Sequence, residues 1–184
     1  MAKVGIILGS LRKESFSKKL ANNVAALFPE GYEAEIVEIG NLALYNQDFD
    51  DENNAPAEYT AFRNKMKEID AVLFVTPEYN RSVPAVLKNA LDVGSRPYGA
   101  SVWNGKPAAI ISQSPGNLSA FGANHHLRQS LVFLNMPIVQ QPEAYIGNVV
   151  GLLDEASKIK DEGTVEFLQS FVNAFVDLIR RYQS

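Results

Sequence analysis

Short apolar runs alternate with stretches of helical periodicity along the whole of this chain. The run 4–8 is apolar without a polar interruption, which is typical of a parallel strand buried on both faces. Apolar residues then recur three or four positions apart over 16–28, which predicts a helix that Pro29 and Gly31 end. The alternating run 34–39 predicts a second, more exposed strand.

The same alternation continues to the C-terminal helix. It predicts strands at 70–76, 107–112 and 137–140, and helices at 57–69, 84–93 and 119–134. The last helix carries one apolar stripe, formed by Leu168, Phe171, Val172, Phe175, Leu178, Ile179 and Tyr182. A fivefold repeat of strand, loop and helix predicts a single three-layer α/β domain over residues 1–184, with a five-stranded parallel sheet in the order 2-1-3-4-5.

Composition narrows the function classes. The chain of 184 residues has a net charge of −4 and no cysteine. The charge disfavours a nucleic-acid partner. The lack of cysteine excludes disulfides, thiolate catalysis and Cys-ligated metals, and it fits the cytosol. Because the chain shows neither a signal-peptide pattern nor a run near the ~20 apolar residues that span a bilayer, we expect a cytoplasmic protein with no membrane partner.

Three loops with unusual content follow predicted strands one, three and four. In sheets of this kind ligands bind outside the carboxyl ends of the strands, so these loops are expected to line one cleft. The first loop places three hydroxyls and a cation at the start of a helix: Ser10, Arg12, Ser15 and Ser17. That set suits a terminal monophosphate. The alternative is that Ser15 or Ser17 only caps the helix.

The second and third loops favour a flat ligand. The second is a turn made of Pro77, Glu78, Tyr79 and Asn80. Its backbone groups can meet the edge of a heteroaromatic ring, with Tyr79 packed beside that ring. The third loop, which includes Ser114, contains a Pro-Gly turn that allows close approach of a ligand. For both loops the alternative is an ordinary strand-to-helix turn.

The remaining polar clusters are not expected to carry chemistry. His125 and His126 are adjacent on a predicted helix and point in different directions, which disfavours a metal site or a catalytic triad. The acidic stretch 48–52 is expected to be a solvated loop, so no metal site is predicted. Trp103, in the loop 95–105, leaves three interpretations open: an interface, a pocket wall, or neither.

The loop motifs are similar to those of a known family. The matching segments are 9–13 with 15–17, 76–80 with 82–84, 87–92, 105–107, 114–116 and 127–129. On these segments the chain resembles the flavodoxin-like NAD(P)H-dependent FMN reductases, and especially the branch with bacterial quinone and chromate reductases. The similarity spans nearly the whole domain. Its specific part is Pro-Glu-Tyr-Asn followed by Ser-Val-Pro.

The resemblance implies non-covalent FMN and either NADH or NADPH as co-substrate. It places Ser10, Arg12, Ser15, Phe16 and Ser17 around the phosphate, and Pro77, Glu78, Tyr79, Asn80 and Ser114 around the ring. The implied reaction is ping-pong hydride transfer through flavin N5 to quinones or other flat acceptors, such as azo dyes, chromate or free flavin. No side chain is expected to act as an obligate acid or base.

The resemblance also implies a homodimer, and in many members a homotetramer. The chain departs from the family pattern at two places: Val93 stands where many members have Trp, and 121–124 replace a Gly-Gly-Ala-Arg run. The arginine missing from the second place bears on the subunit contacts and on the tetramer. One alternative is a flavodoxin-like electron carrier or redox-sensing FMN protein without small-molecule turnover. A phosphosugar or nucleotide enzyme without flavin is a third interpretation.

Overall fold

A computed structural model describes residues 1–183 of the chain. The strands are β1 (Ala2–Leu8), β2 (Tyr32–Ile36), β3 (Ala71–Thr76), β4 (Ala108–Gln113) and β5 (Ala144–Ile146). The helices are α1 (Phe16–Ala25), α2 (Asp48–Asp51), α3 (Ala57–Lys67), α4 (Ala85–Gly94), α5 (Phe121–Phe133), α6 (Val149–Leu152) and α7 (Glu162–Gln183). None of the helices in residues 1–183 is both long and apolar enough to cross a membrane.

The strands form one parallel sheet in the order β2-β1-β3-β4-β5. The predicted fold class and strand order are therefore confirmed. The register brings the carboxyl ends of the three central strands level, because Leu8 pairs with Val75 and Thr76 pairs with Ser112. The loops after β1, β3 and β4 consequently leave the sheet side by side.

The core lies on both faces of the sheet. On one face α1 and α7 pack against the strands, with Leu20, Phe171 and Phe175 fully buried. On the other face α3, α4 and α5 supply a second cluster that includes Tyr59 and Leu127. Strands covered by helices on both faces carry continuous apolar runs, which is why β1 and β3 could be located from the sequence.

The fifth strand was predicted in the wrong place. In the segment 137–140, Pro137 accepts from the N–H of Ala108 at 2.8 Å, and Val139 donates to the carbonyl of Ala108 at 3.0 Å. This pairing reaches only the beginning of β4. The ladder is then interrupted near Pro142, which has no N–H to donate, and it resumes as β5 beside Ile111–Gln113.

Smaller differences concern element ends. Strand β2 begins two residues before the predicted run 34–39 and ends at Ile36, because the apolar Val37 and Ile39 leave the strand to pack in the cluster with α3. Helix α1 ends at Ala25, although Leu27 and Phe28 still pack against the core.

Trp103 belongs to the core, which resolves the three interpretations left by the sequence. Its side chain is fully buried, and its indole Nε1 donates to the carbonyl of Leu91 at 2.9 Å. Gly94, the last residue of α4, lies against the ring: a Cβ built there would stand 2.6 Å from the indole Cε2. The loop 95–105 is therefore anchored to α4 by its own tryptophan.

Candidate functional site

The first two loops touch where they leave the sheet. The N–H of Gly9 donates to the carbonyl of Val75 at 2.9 Å. A side chain at position 9 would overlap the hydroxyl of Thr76, so glycine is the residue that allows this approach. The start of the first loop therefore lies directly against the end of β3.

The N-terminus of helix α1 has a side-chain cap and lies close to a basic residue. Ser15 is its N-cap, and its hydroxyl accepts from the N–H of Lys18 at 3.3 Å, so the capping role considered from the sequence is present. Arg12 is exposed, and its N–H lies 3.4 Å from the hydroxyl of Ser10. Because a helix leaves its first N–H groups without intrahelical partners, this end can bind an anion.

The acid on the first loop is neutralised by a lysine of α1. Glu14, the acid nearest to the helix start, binds Lys19 at 2.7 Å. The hydrogen bond and attraction from Lys19 lower the pKa of the Glu14 carboxyl. Phe16 is half-buried under the Lys19 ammonium, which lies 5.8 Å from the ring centre.

Ser17 is turned away from the surface. It is fully buried, and its hydroxyl accepts from Nε2 of Gln113 at 3.0 Å. Gln113 is the last residue of β4, so this bond ties the end of that strand to the first turn of α1. The second polar atom of the Gln113 side chain, Oε1, is buried and has no hydrogen-bond partner within residues 1–183. The sequence pattern did not single out Gln113, although a polar residue that closes an apolar strand is a visible signal.

The second loop is a tight turn. Tyr79 and Ser82 exchange two backbone hydrogen bonds of 3.1 Å. The central residues, Asn80 and Arg81, have φ of 51° and 67°, as in a type I′ turn. The side chain of Tyr79 stays 46 % exposed. This turn presents Tyr79 and Asn80 at the sheet edge, while Pro77 is half-buried at its base.

Glu78 faces helix α5 instead of open space. One carboxylate oxygen, Oε2, accepts from the N–H of Ala123 at 3.0 Å, and the other lies 3.6 Å from Arg81. On the same helix His126 contacts the Ser82 hydroxyl through Nδ1 at 2.9 Å. Neither contact could be predicted from the sequence, since both join residues that are more than 40 positions apart.

The third loop runs from β4 into α5. The hydroxyl of Ser114 donates to the carbonyl of Gly116 at 2.8 Å, and its N–H donates to Ile146 at 3.0 Å. Ser119 and Ala120 then adopt φ of 54° and 58°, which turns the chain into the helix. Ser114 therefore lies beside the edge strand β5.

The loops at the carboxyl ends of the central strands thus combine two kinds of ligand site. One end offers an anion-binding helix start, and the other offers an exposed aromatic side chain on a rigid turn. Large apolar side chains also stand exposed on these loops: Leu11, Tyr79, Leu118 and Phe121. In the part of the chain that the structure describes, no three His, Asp or Glu side chains converge as a metal site would require.

Comparison with known proteins decides the family. The family model for NADPH-dependent FMN reductases matches residues 2–151. The chain belongs to the NADPH-dependent FMN reductase family. The prediction made from the loop motifs is therefore confirmed, as are the FMN and nicotinamide nucleotides that this family uses.

Relatives in the FMN reductase family are similar over nearly the full chain. A quinone reductase from Pseudomonas putida is 53% identical over 96% of this chain and 94% of its own. A 2-hydroxy-1,4-benzoquinone reductase from a Burkholderia species is 43% identical over 97% and 96%. Among solved structures, the flavoenzyme NAD(P)H:(acceptor) oxidoreductase FerB from Paracoccus denitrificans is 39% identical, with a TM-score of 0.92 over 99% of both chains.

Proposed function

We propose that this protein is an FMN-dependent NAD(P)H oxidoreductase that reduces quinones and similar flat acceptors. The observation that carries the proposal is the level ending of β1, β3 and β4, since it sets the anion-binding start of α1 beside the turn with Tyr79. A cofactor with a phosphate at one end and a flat ring at the other matches that pair of features.

The residues present fit FMN at both ends. At the phosphate end we assign Ser10, Arg12, Ser15 and the free N–H groups of the first turn, at Phe16 and Ser17. The buried Ser17 hydroxyl helps indirectly, because its bond to Gln113 holds the first turn of α1 in place. At the ring end we assign the backbone of Pro77, Glu78, Tyr79 and Asn80, with Ser114 on the opposite side. The buried Oε1 of Gln113, which has no partner in residues 1–183, marks a polar position between the two ends.

The chemistry that bound FMN supplies is two-electron transfer from a reduced nicotinamide to an acceptor. The protein binds the phosphate, holds the turn at the ring edge and shields the ring plane from water. Since no side chain has to exchange a proton at a fixed atom, we assign no catalytic acid or base.

The surface around the loops favours apolar, flat acceptors. Leu11, Leu118 and Phe121 are between 53 % and 64 % exposed, and exposed apolar groups of this kind mark sites where ligands or partners dock. A planar quinone covers such groups, whereas a hydrated oxyanion such as chromate does not. We therefore rank quinones first. The loops carry Arg12 and Arg81 beside these apolar groups, whereas an electron carrier would use an acidic rim to dock a partner.

We also propose a homodimer, with a tetramer as the larger alternative, and a cytoplasmic location. Tyr98 and Phe133 are 93 % and 89 % exposed and line one surface depression, and Val132 beside them is 69 % exposed. Exposed large apolar side chains that lie close together are typical of a subunit contact. Sedimentation of the wild type and of Phe133→Glu tests it: the variant should shift toward the monomer.

The function is tested by anaerobic mixing of the purified, FMN-loaded protein with NADH and with NADPH. The flavin band should bleach on mixing, the faster donor should identify the preferred nucleotide, and added benzoquinone should restore the colour. Persistent colour with both donors would favour the electron carrier. A protein that binds no flavin would favour the third interpretation.

A further inference from the structure

Helix α5 takes its N-terminal cap from a distant part of the chain. Its own N-cap residue is Ala120, which has no side-chain acceptor, and its first turn contains no acid. The missing anion comes from Glu78, whose Oε2 accepts from the N–H of Ala123, the third residue of the helix, at 3.0 Å. A carboxylate at this position satisfies a free donor and opposes the positive end of the helix dipole.

The contact between Glu78 and Ala123 is closely packed. The side chain of Glu78 is 13 % exposed. Gly122 lies beneath it: a Cβ there would stand 2.9 Å from Oε2 of Glu78 and 3.0 Å from the carbonyl of Arg81. One turn further along α5, His126 contacts the hydroxyl of Ser82 at 2.9 Å. Two tethers, spaced three residues apart on one face of α5, therefore hold the two ends of the turn 78–82.

These tethers join two of the three loops at the sheet edge. The turn 78–82 belongs to the loop after β3. Helix α5 is the direct continuation of the loop after β4, which reverses through Ser119 and Ala120 into the helix. Any change in the contact between Glu78 and Ala123 therefore changes the distance between the two loops.

We propose that Glu78 is a positioning residue for the flavin ring: its carboxylate sets the spacing of the two loops, and only its backbone faces the cofactor. This inference rests on the proposed function, because it assigns those loops to the two sides of the ring. From the sequence, Glu78 was expected to meet the ring through the backbone of the turn, like its neighbours, and the inference adds a role for its carboxylate.

The test compares the dissociation constants of FMN and riboflavin, which share a ring and differ in the phosphate. Glu78→Ala should weaken both ligands by the same factor, about tenfold, since the helix cap and the loop spacing are lost together. Glu78→Gln should stay near the wild type, because its Oε1 can still accept from Ala123. Arg12→Ala should instead weaken FMN alone.

A second variant reaches the same contact from the other side. Gly122→Ala pushes a methyl group against Oε2 and should reproduce the loss seen with Glu78→Ala. Gly151→Ala is the matched control, since a Cβ there meets nothing within 4 Å. The visible circular dichroism of bound FMN should change in Glu78→Ala and Gly122→Ala, because this signal reports how the ring is held.

Three results would overturn the inference. The first is wild-type affinity for both ligands in Glu78→Ala and Gly122→Ala. The second is a loss confined to FMN, which would place Glu78 at the phosphate. The third is a lowered melting temperature with unchanged affinities and dichroism, which would make the contact purely structural. If the wild-type chain bound neither FMN nor riboflavin, the proposed function itself would fail and the inference with it.

Discussion

Nε2 of Gln113 donates a 3.0 Å hydrogen bond to the hydroxyl of Ser17, and this bond fastens the end of β4 to the first turn of α1. Both side chains are buried, at 3 % and 0 % exposure. The anion-binding helix start is therefore held by the sheet as well as by its own cap. If either group is removed, the other stays buried and cannot form a hydrogen bond with water instead.

We expect Gln113→Leu and Ser17→Ala each to lower the free energy of unfolding by about 1–3 kcal/mol, since each leaves a buried polar group unpaired. The double variant should lose less than the sum, because it removes donor and acceptor together. Urea unfolding of the four proteins measures this coupling. Strictly additive losses would mean that the two side chains do not interact.

Arg12→Ala should weaken FMN binding by about 1.5–3 kcal/mol if the guanidinium makes a charge-assisted bond to the phosphate. Riboflavin binding should not change, because riboflavin has no phosphate. Quenching of flavin fluorescence gives both constants. The neighbouring exposed Lys13→Ala is the matched control. An equal effect of both substitutions on FMN would show a general charge effect instead of a specific contact.

Gly94→Ala should destabilise the fold by about 1–3 kcal/mol, since the added methyl group overlaps the indole of Trp103 and the core has no room to yield. In Gly151→Ala the new methyl group meets open space, so stability should be unchanged or rise by up to about 1 kcal/mol. Chemical unfolding of both variants gives the comparison. Equal stability of the two would show that Trp103 can move aside.

Arg81→Gly should raise the free energy of unfolding by about 1 kcal/mol. Arg81 has a left-handed backbone with φ of 67°, a conformation that costs a side-chain-bearing residue about 1–2 kcal/mol. Asn-Gly is the preferred central pair of this turn. Thermal unfolding measures the change, and Arg81→Val should shift stability in the opposite direction. A less stable glycine variant would mean that the guanidinium contributes more than the strain costs.

Burial, aided by hydrogen bonding to Glu143, raises the pKa of Tyr145 to about 12. The unfolded chain releases this proton near its ordinary value of 10.0, so ionisation favours unfolding between these two values. We expect the wild type to lose stability relative to Tyr145→Phe as the pH rises from 10 to 12. Unfolding by urea across this range tests the sign, with Tyr182→Phe, whose side chain is 57 % exposed, as the control.

The sheet and the three loops could be predicted because their signals are local. Strand β3 is a buried apolar run, and Gly9 and Pro77 mark the points where strands end. Chain order then decides which loops lie together, since parallel strands end at a common edge. Resemblance to a family added the ligand, which no pattern of apolar and polar residues could name.

The missed features depend on contacts between distant residues. The segment 137–140 has the composition of a strand, but it pairs with β4 only at Ala108. The position of the fifth strand is therefore decided by pairing with β4 and not by composition. The burial of Trp103 stayed open in the sequence because its partner, Leu91, belongs to the preceding helix. The role of Glu78 was hidden because Ala120 gives α5 no cap of its own, and an absent cap does not reveal which distant acid replaces it.

The interruption of the fifth strand has a consequence for how copies of this chain can associate. β5 offers three residues at one edge of the sheet, and the proline before it removes a donor. At the opposite edge β2 is short and carries Glu33 and Glu35. Short strands at both edges, with a proline at one and two carboxylates at the other, discourage strand-by-strand growth between molecules. The helical faces are then left for the proposed subunit contact, and the edges discourage the extended sheets that begin aggregation.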